Sequence, residues 1–153
     1  MARREASMDF DTQVKLAVYG HFAETGRRPA LGAVAERVGS GAGRVRDAYA
    51  RLRAQRLLVL EADGSSIRMA PPFSGVSTQH VVTVGGTDYF ANCAWDALGV
   101  PAALGRPGVV HARCEQSRVP LDLEVGREGP EPCSWLFHCS VPAAKWWDDI
   151  VFT

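Results

Sequence analysis

The order of the apolar patterns in residues 12–70 restricts the fold of this chain more than any other feature. Three consecutive segments repeat residues at helical spacing, and glycine-containing turns separate the first segment from the second and the second from the third. The repeating residues are Val14, Ala17, Val18, His21 and Phe22, then Leu31, Val34, Ala35 and Val38, then Val45, Ala48, Tyr49 and Leu52. Two strand-like runs, 57–60 and 66–69, lie on either side of Asp63-Gly64, a strong hairpin-turn signal. Three helices followed by a hairpin is the order of a winged helix-turn-helix.

A proline-rich stretch divides the chain into two parts. Ala70-Pro71-Pro72-Phe73-Ser74-Gly75 is expected to continue neither a helix nor a strand, and it predicts a linker. The length of 153 residues suits two small domains. The sequence therefore predicts a winged-helix module over residues 1–72 and a second domain over residues 73–153.

The second domain is predicted to place strands around one helix. Four runs have strand character: 76–84, 108–114, 119–125 and 133–141. Gly85-Gly86 breaks the first run, and Thr87 is a suitable N-cap for a helix over about 88–98. We expect an α+β fold: an N-terminal winged helix-turn-helix plus a small mixed α/β domain with an antiparallel-rich sheet.

Charge is distributed unevenly along the chain. Residues 1–70 hold 12 Lys+Arg against 8 Asp+Glu, whereas residues 71–153 hold 5 against 9. The third predicted helix carries a set of arginines: Arg44, Arg46, Arg51, Arg53 and Arg56. Two interpretations stay open for this set, phosphate contact by a recognition helix in DNA and a solvated helix face whose other side packs.

The cysteines all fall in the second half, at positions 93, 114, 133 and 139. Met1-Ala2-Arg3-Arg4-Glu5 does not resemble a signal peptide, and no apolar run approaches the ~20 residues that span a bilayer. We therefore expect a cytoplasmic protein with no membrane partner, whose thiols are mostly reduced. This placement favours thiol or metal chemistry over a disulfide framework.

Cys93 and Asp96 are the candidate catalytic residues. In a helix, a spacing of three places the thiol and the carboxyl group on neighbouring parts of one face. A soft thiolate is a natural ligand for a soft cation, and a carboxyl group can carry a proton. Such a pair could deliver a proton to a carbon atom that is bonded to a thiolate-bound metal.

The segment around this pair, Asp88-Tyr89-Phe90-Ala91-Asn92-Cys93-Ala94-Trp95-Asp96-Ala97-Leu98-Gly99-Val100-Pro101, resembles the signature of the organomercurial (alkylmercury) lyases. His111-Ala112-Arg113-Cys114 and Trp146-Trp147-Asp148-Asp149-Ile150-Val151-Phe152 resemble later segments of that family. The resemblance covers roughly residues 76–153, and members of the family also carry a vestigial winged helix at the N-terminus.

The resemblance implies protonolysis of a carbon–mercury bond. Two thiolates hold the mercury, an aspartate passes a proton to the carbon, and a hydrocarbon leaves. On this sequence Cys93 would be the primary thiolate and Asp96 the proton donor. No cofactor is required; Hg(II) is the product or a bound ligand, and the expected partners are an organomercurial or another soft electrophile and the cellular thiols that take the product.

The family's second catalytic cysteine is expected just after Phe152, where this sequence has Thr153. We expect either a C-terminally truncated chain or a member without that pair. Another cysteine could replace it only within about 4–5 Å of Cys93, a span set by two metal–thiolate bonds. We assign Cys93 and Cys114 as the metal-binding pair, with Cys133 and Cys139 as the other possibilities.

Other functions remain as alternatives. The same core could bind mercury or another soft ligand without catalysis while Arg44, Arg46 and Arg51 contact DNA, which would make the protein a regulator. It could also be a binding module that has kept the fold and lost the chemistry. A zinc site that combines His111 and Cys114 with the His138-Cys139 pair is disfavoured, because adjacent residues of a strand point to opposite faces.

Overall fold

The computed structural model describes residues 8–151 and begins with three helices. They are α1 (Phe10–Thr25), α2 (Leu31–Arg37) and α3 (Ala42–Ala54). Helix α1 starts where the Asp9 side chain accepts a hydrogen bond from the Thr12 backbone amide, at 3.1 Å, and ends at Gly26 in the left-handed conformation. The three helices and their order agree with the apolar periodicity of the sequence.

A small antiparallel sheet follows the helices. Its strands are β1 (Val59–Leu60), β2 (Ile67–Ala70) and β3 (Phe73–Ser74), in that spatial order. The β1–β2 hairpin was predicted, but the prediction of a linker at 70–75 is wrong. Pro71 and Pro72 form a tight turn that returns the chain, so that Ala70 pairs with Phe73.

The second sheet has five antiparallel strands in the order β5-β4-β6-β7-β8. Their bounds are β4 (Val81–Val84), β5 (Thr87–Phe90), β6 (Gly108–Arg113), β7 (Pro120–Gly126) and β8 (Gly129–Pro130). The predicted pairing of 108–114 with 119–125 is confirmed, as Gly108 lies opposite Val125 and Arg113 opposite Pro120. Helices combined with antiparallel sheets give the α+β class that was expected.

The helix of the second half begins later than predicted. Residues 87–90 form β5 rather than the first turn of a helix, and α4 spans Ala94–Leu104. Gly85 and Gly86 have φ values of 57° and 85°, which fit the two central residues of a type I′ hairpin turn. The two glycines therefore connect β4 to β5 instead of ending the strand region. Pro101 lies inside α4, and Gly105 ends the helix in the left-handed conformation.

The segment after β8 lacks the predicted strand at 133–141. The described chain runs irregularly through these residues, which are almost all exposed, and then forms a 3₁₀ helix over Ala143–Asp148. An isolated strand needs a partner that satisfies its backbone groups, and none of the eight strands of the described residues pairs with this segment. Phe152 and Thr153 lie outside the described residues.

One apolar core extends through both halves of the chain. Phe73 is central to it: its ring stacks on Phe22 at 5.4 Å between centroids and lies 5.7 Å from the ring of Tyr89. The Tyr89 hydroxyl donates to the Ala23 carbonyl at 2.7 Å. The predicted boundary between two domains at residue 72 stays a prediction. Among residues 8–151, no helix is long and apolar enough to cross a membrane.

Candidate active site

Cys93 and Asp96 lie at the start of α4. Cys93 is the N-cap residue, directly after β5, and Asp96 is the third residue of the helix. The side-chain amide of Asn92 donates a hydrogen bond to Asp96 Oδ2 at 2.8 Å and lies 3.3 Å from the Phe73 carbonyl. The β4–β5 hairpin and β3 therefore position the carboxyl group. The shift of the helix start to residue 94 leaves the predicted pair together, since their spacing of three is kept within one turn.

Burial controls the protonation of both groups. It raises the pKa of the Asp96 carboxyl, and the hydrogen bond from Asn92 lowers that pKa by a smaller amount. Burial also raises the pKa of the Cys93 thiol; the backbone amide of Asp96 opposes this effect, while the charges of Asp96 and Cys139 add to it. Asp96 therefore holds a proton more readily than an exposed aspartate does, and Cys93 stays a thiol until a cation replaces its proton.

A cavity of about 490 Å³, which we call the large chamber, opens beside the pair. On one side it is lined by His80, Cys93 and Asp96. They belong to residues 80–97, which run from His80 through the β4–β5 hairpin to the first turn of α4 and which we call the inner wall. The segment 137–151, which we call the outer wall, borders the other side of the chamber through its residues 146–151. The outer wall contributes mainly apolar and aromatic side chains to the large chamber: Trp146, Trp147, Ile150 and Val151.

A smaller cavity of about 210 Å³, the small chamber, shares Cys93, His80 and Trp146 with the large chamber. Asp96 does not line it, whereas His138 and Cys139 do. Within residues 8–151, the His80 Nδ1 atom is buried without a hydrogen-bond partner. Burial lowers the pKa of His80, and the charge of Glu115 acts in the opposite direction.

The structure separates the other cysteines. Cys114, the predicted partner of Cys93 in a metal site, lies in the β6–β7 turn, where its sulfur accepts a hydrogen bond from the Ser117 amide at 3.5 Å. It is not among the residues that line either chamber. Hydrogen bonds from Ser117, first its side chain and then its backbone amide, lower the pKa of this thiol. The structure thus brings Cys139, rather than Cys114, to the same cavity as Cys93.

Metal sites with three or more protein ligands are absent from the described part of the chain, because no group of three His, Cys, Asp or Glu side chains converges there. His111, considered for zinc, instead contacts Asp122 at 2.7 Å across β6 and β7.

Three residues near the site had no signal in the sequence patterns. Asn92 and His80 come from the ends of β5 and β4, whose hairpin was not predicted. Tyr19 comes from α1, and its hydroxyl donates to the Pro71 carbonyl at 2.9 Å. Burial and then the charge of Asp96 raise the pKa of Tyr19. Periodicity identifies such a residue only as part of a helix face.

The arginines proposed for DNA contact lie on the exposed side of α3. Arg51 binds the Asp11 carboxylate of α1 through two hydrogen bonds of 2.8 and 2.7 Å. The Arg44 guanidinium lies 4.2 Å from the centre of the Phe10 ring. Arg46 is exposed. Two of the three predicted DNA contacts therefore already interact with α1.

Comparisons with known proteins agree on one family. The alkylmercury lyase (MerB) family model matches residues 73–153, which is just over half of the chain. The crystal structure of the mercury-bound form of MerB2 has a similar fold, with a TM-score of 0.62 and 21% sequence identity; the match covers 84% of this chain and 62% of that chain. This chain thus spans less than two thirds of the length of that protein. No curated protein matches. From the family match over more than half of its residues, the chain belongs to the alkylmercury lyase family.

Proposed function

We propose that this protein cleaves the carbon–mercury bond of organomercurials by protonolysis, with Cys93 as the mercury ligand and Asp96 as the proton donor. One observation carries the proposal: a thiol and a carboxyl group, both half-buried, lie on the same cavity wall at the first turn of α4. The aromatic and apolar outer wall suits the organic group of such a substrate.

The first step is ligand exchange at mercury. The Cys93 sulfur displaces the substrate's outgoing ligand, and the thiol proton leaves with that ligand. Because a soft thiolate binds a soft cation strongly, the raised pKa of Cys93 does not prevent this exchange. The organic group then occupies the large chamber, within reach of Asp96.

The second step is proton transfer. The Asp96 carboxyl gives its proton to the carbon, the carbon–mercury bond breaks, and its electron pair forms the new carbon–hydrogen bond. Hg(II) remains on the Cys93 sulfur beside the Asp96 carboxylate. A first solution thiol bonds to the mercury, and its proton restores the Asp96 carboxyl. A second solution thiol then displaces the Cys93 sulfur, which takes that thiol's proton, and Hg(II) leaves with two thiolate ligands. The cavity shields the reacting carbon from bulk water, where a neutral carboxyl group would be rarer.

Benzene release from a phenylmercury salt in excess thiol tests this proposal. We expect Cys93→Ala to abolish release and Asp96→Asn to lower the single-turnover rate by about 10²–10⁴-fold, the usual contribution of a positioned proton donor. Cys133→Ala is the matched control, because Cys133 is exposed and lines neither chamber. Benzene release that is unchanged in Cys93→Ala would contradict the mechanism.

A second candidate is a mercury-responsive regulator in which the N-terminal unit is the predicted winged helix. The exposed arginine side of α3 favours it, with Arg46 as the residue to test. The engagement of Arg51 by Asp11 speaks against it. Tight binding of mercury without hydrocarbon release, together with salt-dependent binding of duplex DNA that weakens in Arg46→Ala, would support the regulator over the lyase.

A further inference from the structure

The first half of the chain also borders the large chamber. Met69, at the end of β2, and Pro71, in the turn after it, line the chamber together with the side chains of the outer wall. Arg56 does not line the chamber, but its guanidinium lies 5.9 Å from the centre of the Trp147 ring. Trp147 is one of the two tryptophans of the outer wall that line the chamber. The end of α3 therefore contacts the aromatic side of the site.

Arg56 occupies a backbone position at which glycine is usual. It follows α3 with a φ of 60°, in the left-handed region, and the next amide, that of Leu57, donates to the Leu52 carbonyl at 2.9 Å. Helices commonly end in this way with glycine, because a Cβ atom makes the left-handed conformation unfavourable. An arginine at this position supplies what glycine lacks, a side chain that contacts Trp147.

We propose that Arg56 and Trp147 form a specificity-determining pair, which makes the protein select aryl groups over small alkyl groups on the mercury. Trp147 contacts the organic group, and Arg56 is a positioning residue that acts through the Trp147 ring. The effect of this pair on turnover rests on the proposed function. The preference in binding does not require cleavage and can be measured without it.

The volume of the large chamber supports selection for a ring. An apolar cavity of about 150 Å³ binds benzene. The large chamber, at about 490 Å³, has room for such a ring and for the mercury that carries it. A phenyl group therefore fills a substantial part of the chamber and displaces water from its apolar side, whereas a methyl group leaves most of that side in contact with water.

The order of the tryptophan rings supports the same selection. Aromatic rings gain more from pairing than their buried area accounts for, but a mobile side chain loses part of that gain when it is ordered. Trp146 and Trp147 are both half-buried. The Trp146 indole donates to the Val141 carbonyl at 2.8 Å, and Trp147 has its cation–π contact with Arg56. Both rings are thus held before a substrate binds, and only a substrate with an aromatic face gains from them.

Binding of phenylmercury and methylmercury to Asp96→Asn, each in competition with the same monothiol, tests the pair. The Asp96→Asn background retains the substrate uncleaved, and the monothiol corrects for the strength of the mercury–sulfur bond itself. We expect Trp147→Leu to lower the preference for phenylmercury over methylmercury by about tenfold, the upper value for an aromatic pair. Trp135→Leu is the matched control and should leave the preference unchanged, because Trp135 is 42% exposed and lines neither chamber.

Arg56→Gly isolates the role of the arginine. Glycine is favoured at this φ, so the variant keeps the end of α3 while it loses the contact with Trp147. We expect the phenyl preference to fall by about two- to fivefold, the equivalent of one cation–π contact at an exposed site. Arg56→Lys should recover part of it, because an ammonium group also binds an aromatic face. A preference that is the same in Arg56→Gly as with arginine present would remove Arg56 from the pair.

Benzene release by the unsubstituted protein separates this inference from the proposed function. If no benzene forms, while phenylmercury still binds preferentially and Trp147→Leu lowers that preference, the proposed function fails and the specificity-determining pair stands. If benzene forms and Trp147→Leu binds both mercurials with the preference of the unsubstituted side chain, the inference is overturned and the proposed function stands. An equal loss of preference in Trp135→Leu and Trp147→Leu also overturns the inference.

Discussion

The two walls of the large chamber are built in different ways. The inner wall is an antiparallel hairpin joined to a helix, and it packs on the core through Tyr89 and Ala91, which are 3% and 0% exposed. The outer wall has no strand and only a 3₁₀ helix among its described residues, and Phe137 is 48% exposed. The proposed proton donor thus lies on the wall that the fold holds firmly, and the organic group faces the wall that it holds loosely.

This difference suits the chemistry that we propose. A proton donor and a metal ligand must keep their geometry, so they belong on elements fixed by core packing. A wall that covers organic groups of different size can instead adjust, with bulky aromatic side chains supplying the contact. One contact between the walls is the ring pair of Trp95 and Phe137, whose centroids lie 5.9 Å apart.

The largest expected effect separates the walls by stability. Phe73→Ala removes the ring that supports the inner wall and should lower the free energy of unfolding by about 3–5 kcal/mol, the cost of a deleted core aromatic side chain. Phe137→Ala on the outer wall should lower it by about 0.5 kcal/mol, as is usual for an exposed position. Urea denaturation followed by tryptophan fluorescence measures both.

Equal costs for the two variants would show that the outer wall is as much a part of the folding unit as the inner wall. The Phe73 variant also tests the predicted domain boundary at residue 72. Because this ring contacts both Phe22 and Tyr89, the two halves of the chain should unfold together in a single transition.

The same contrast explains what the sequence could predict. The proximity of Cys93 and Asp96 was predictable because their relation is local: a spacing of three survives an error of six residues in the helix start. The outer wall was predicted wrongly: its strand-like run at 133–141 forms no strand among the described residues, because the position of this segment depends on contacts with distant elements.

Asn92 offers a more local test of the inner wall. Its amide stabilises the charged form of Asp96, and that hydrogen bond lowers the pKa of the carboxyl. Asn92→Ala should therefore raise the pKa of Asp96 further. Since a proton donor works only while protonated, the rate of hydrocarbon release falls as the pH rises through this pKa. The descending limb of the pH–rate profile should move to higher pH in the variant.

Asp148→Asn, on the exposed outer wall, is the control for this shift and should leave the limb in place. A limb that moves to lower pH in Asn92→Ala, or that moves equally in both variants, would remove Asp96 as the group that titrates. Asp96→Asn should lack the limb altogether, which identifies the group independently.

The smallest expected effect concerns His80, which borders both chambers from the inner wall. Burial lowers the pKa of His80 in the folded state below the value of about 6.5 that it has in the unfolded chain, and Glu115 opposes this in part. Between the two values the unfolded chain binds a proton that the folded protein does not. Stability should therefore be constant above pH 6.5 or so and fall as the pH drops below it. His80→Gln should flatten this dependence of stability on pH, whereas His138→Gln, on the exposed outer wall, should leave it intact. Thermal unfolding from pH 7.5 to 5 measures both variants.

If His138→Gln flattened the dependence as much as His80→Gln, the outer wall would be as closely coupled to folding as the inner wall, and the contrast between them would fail.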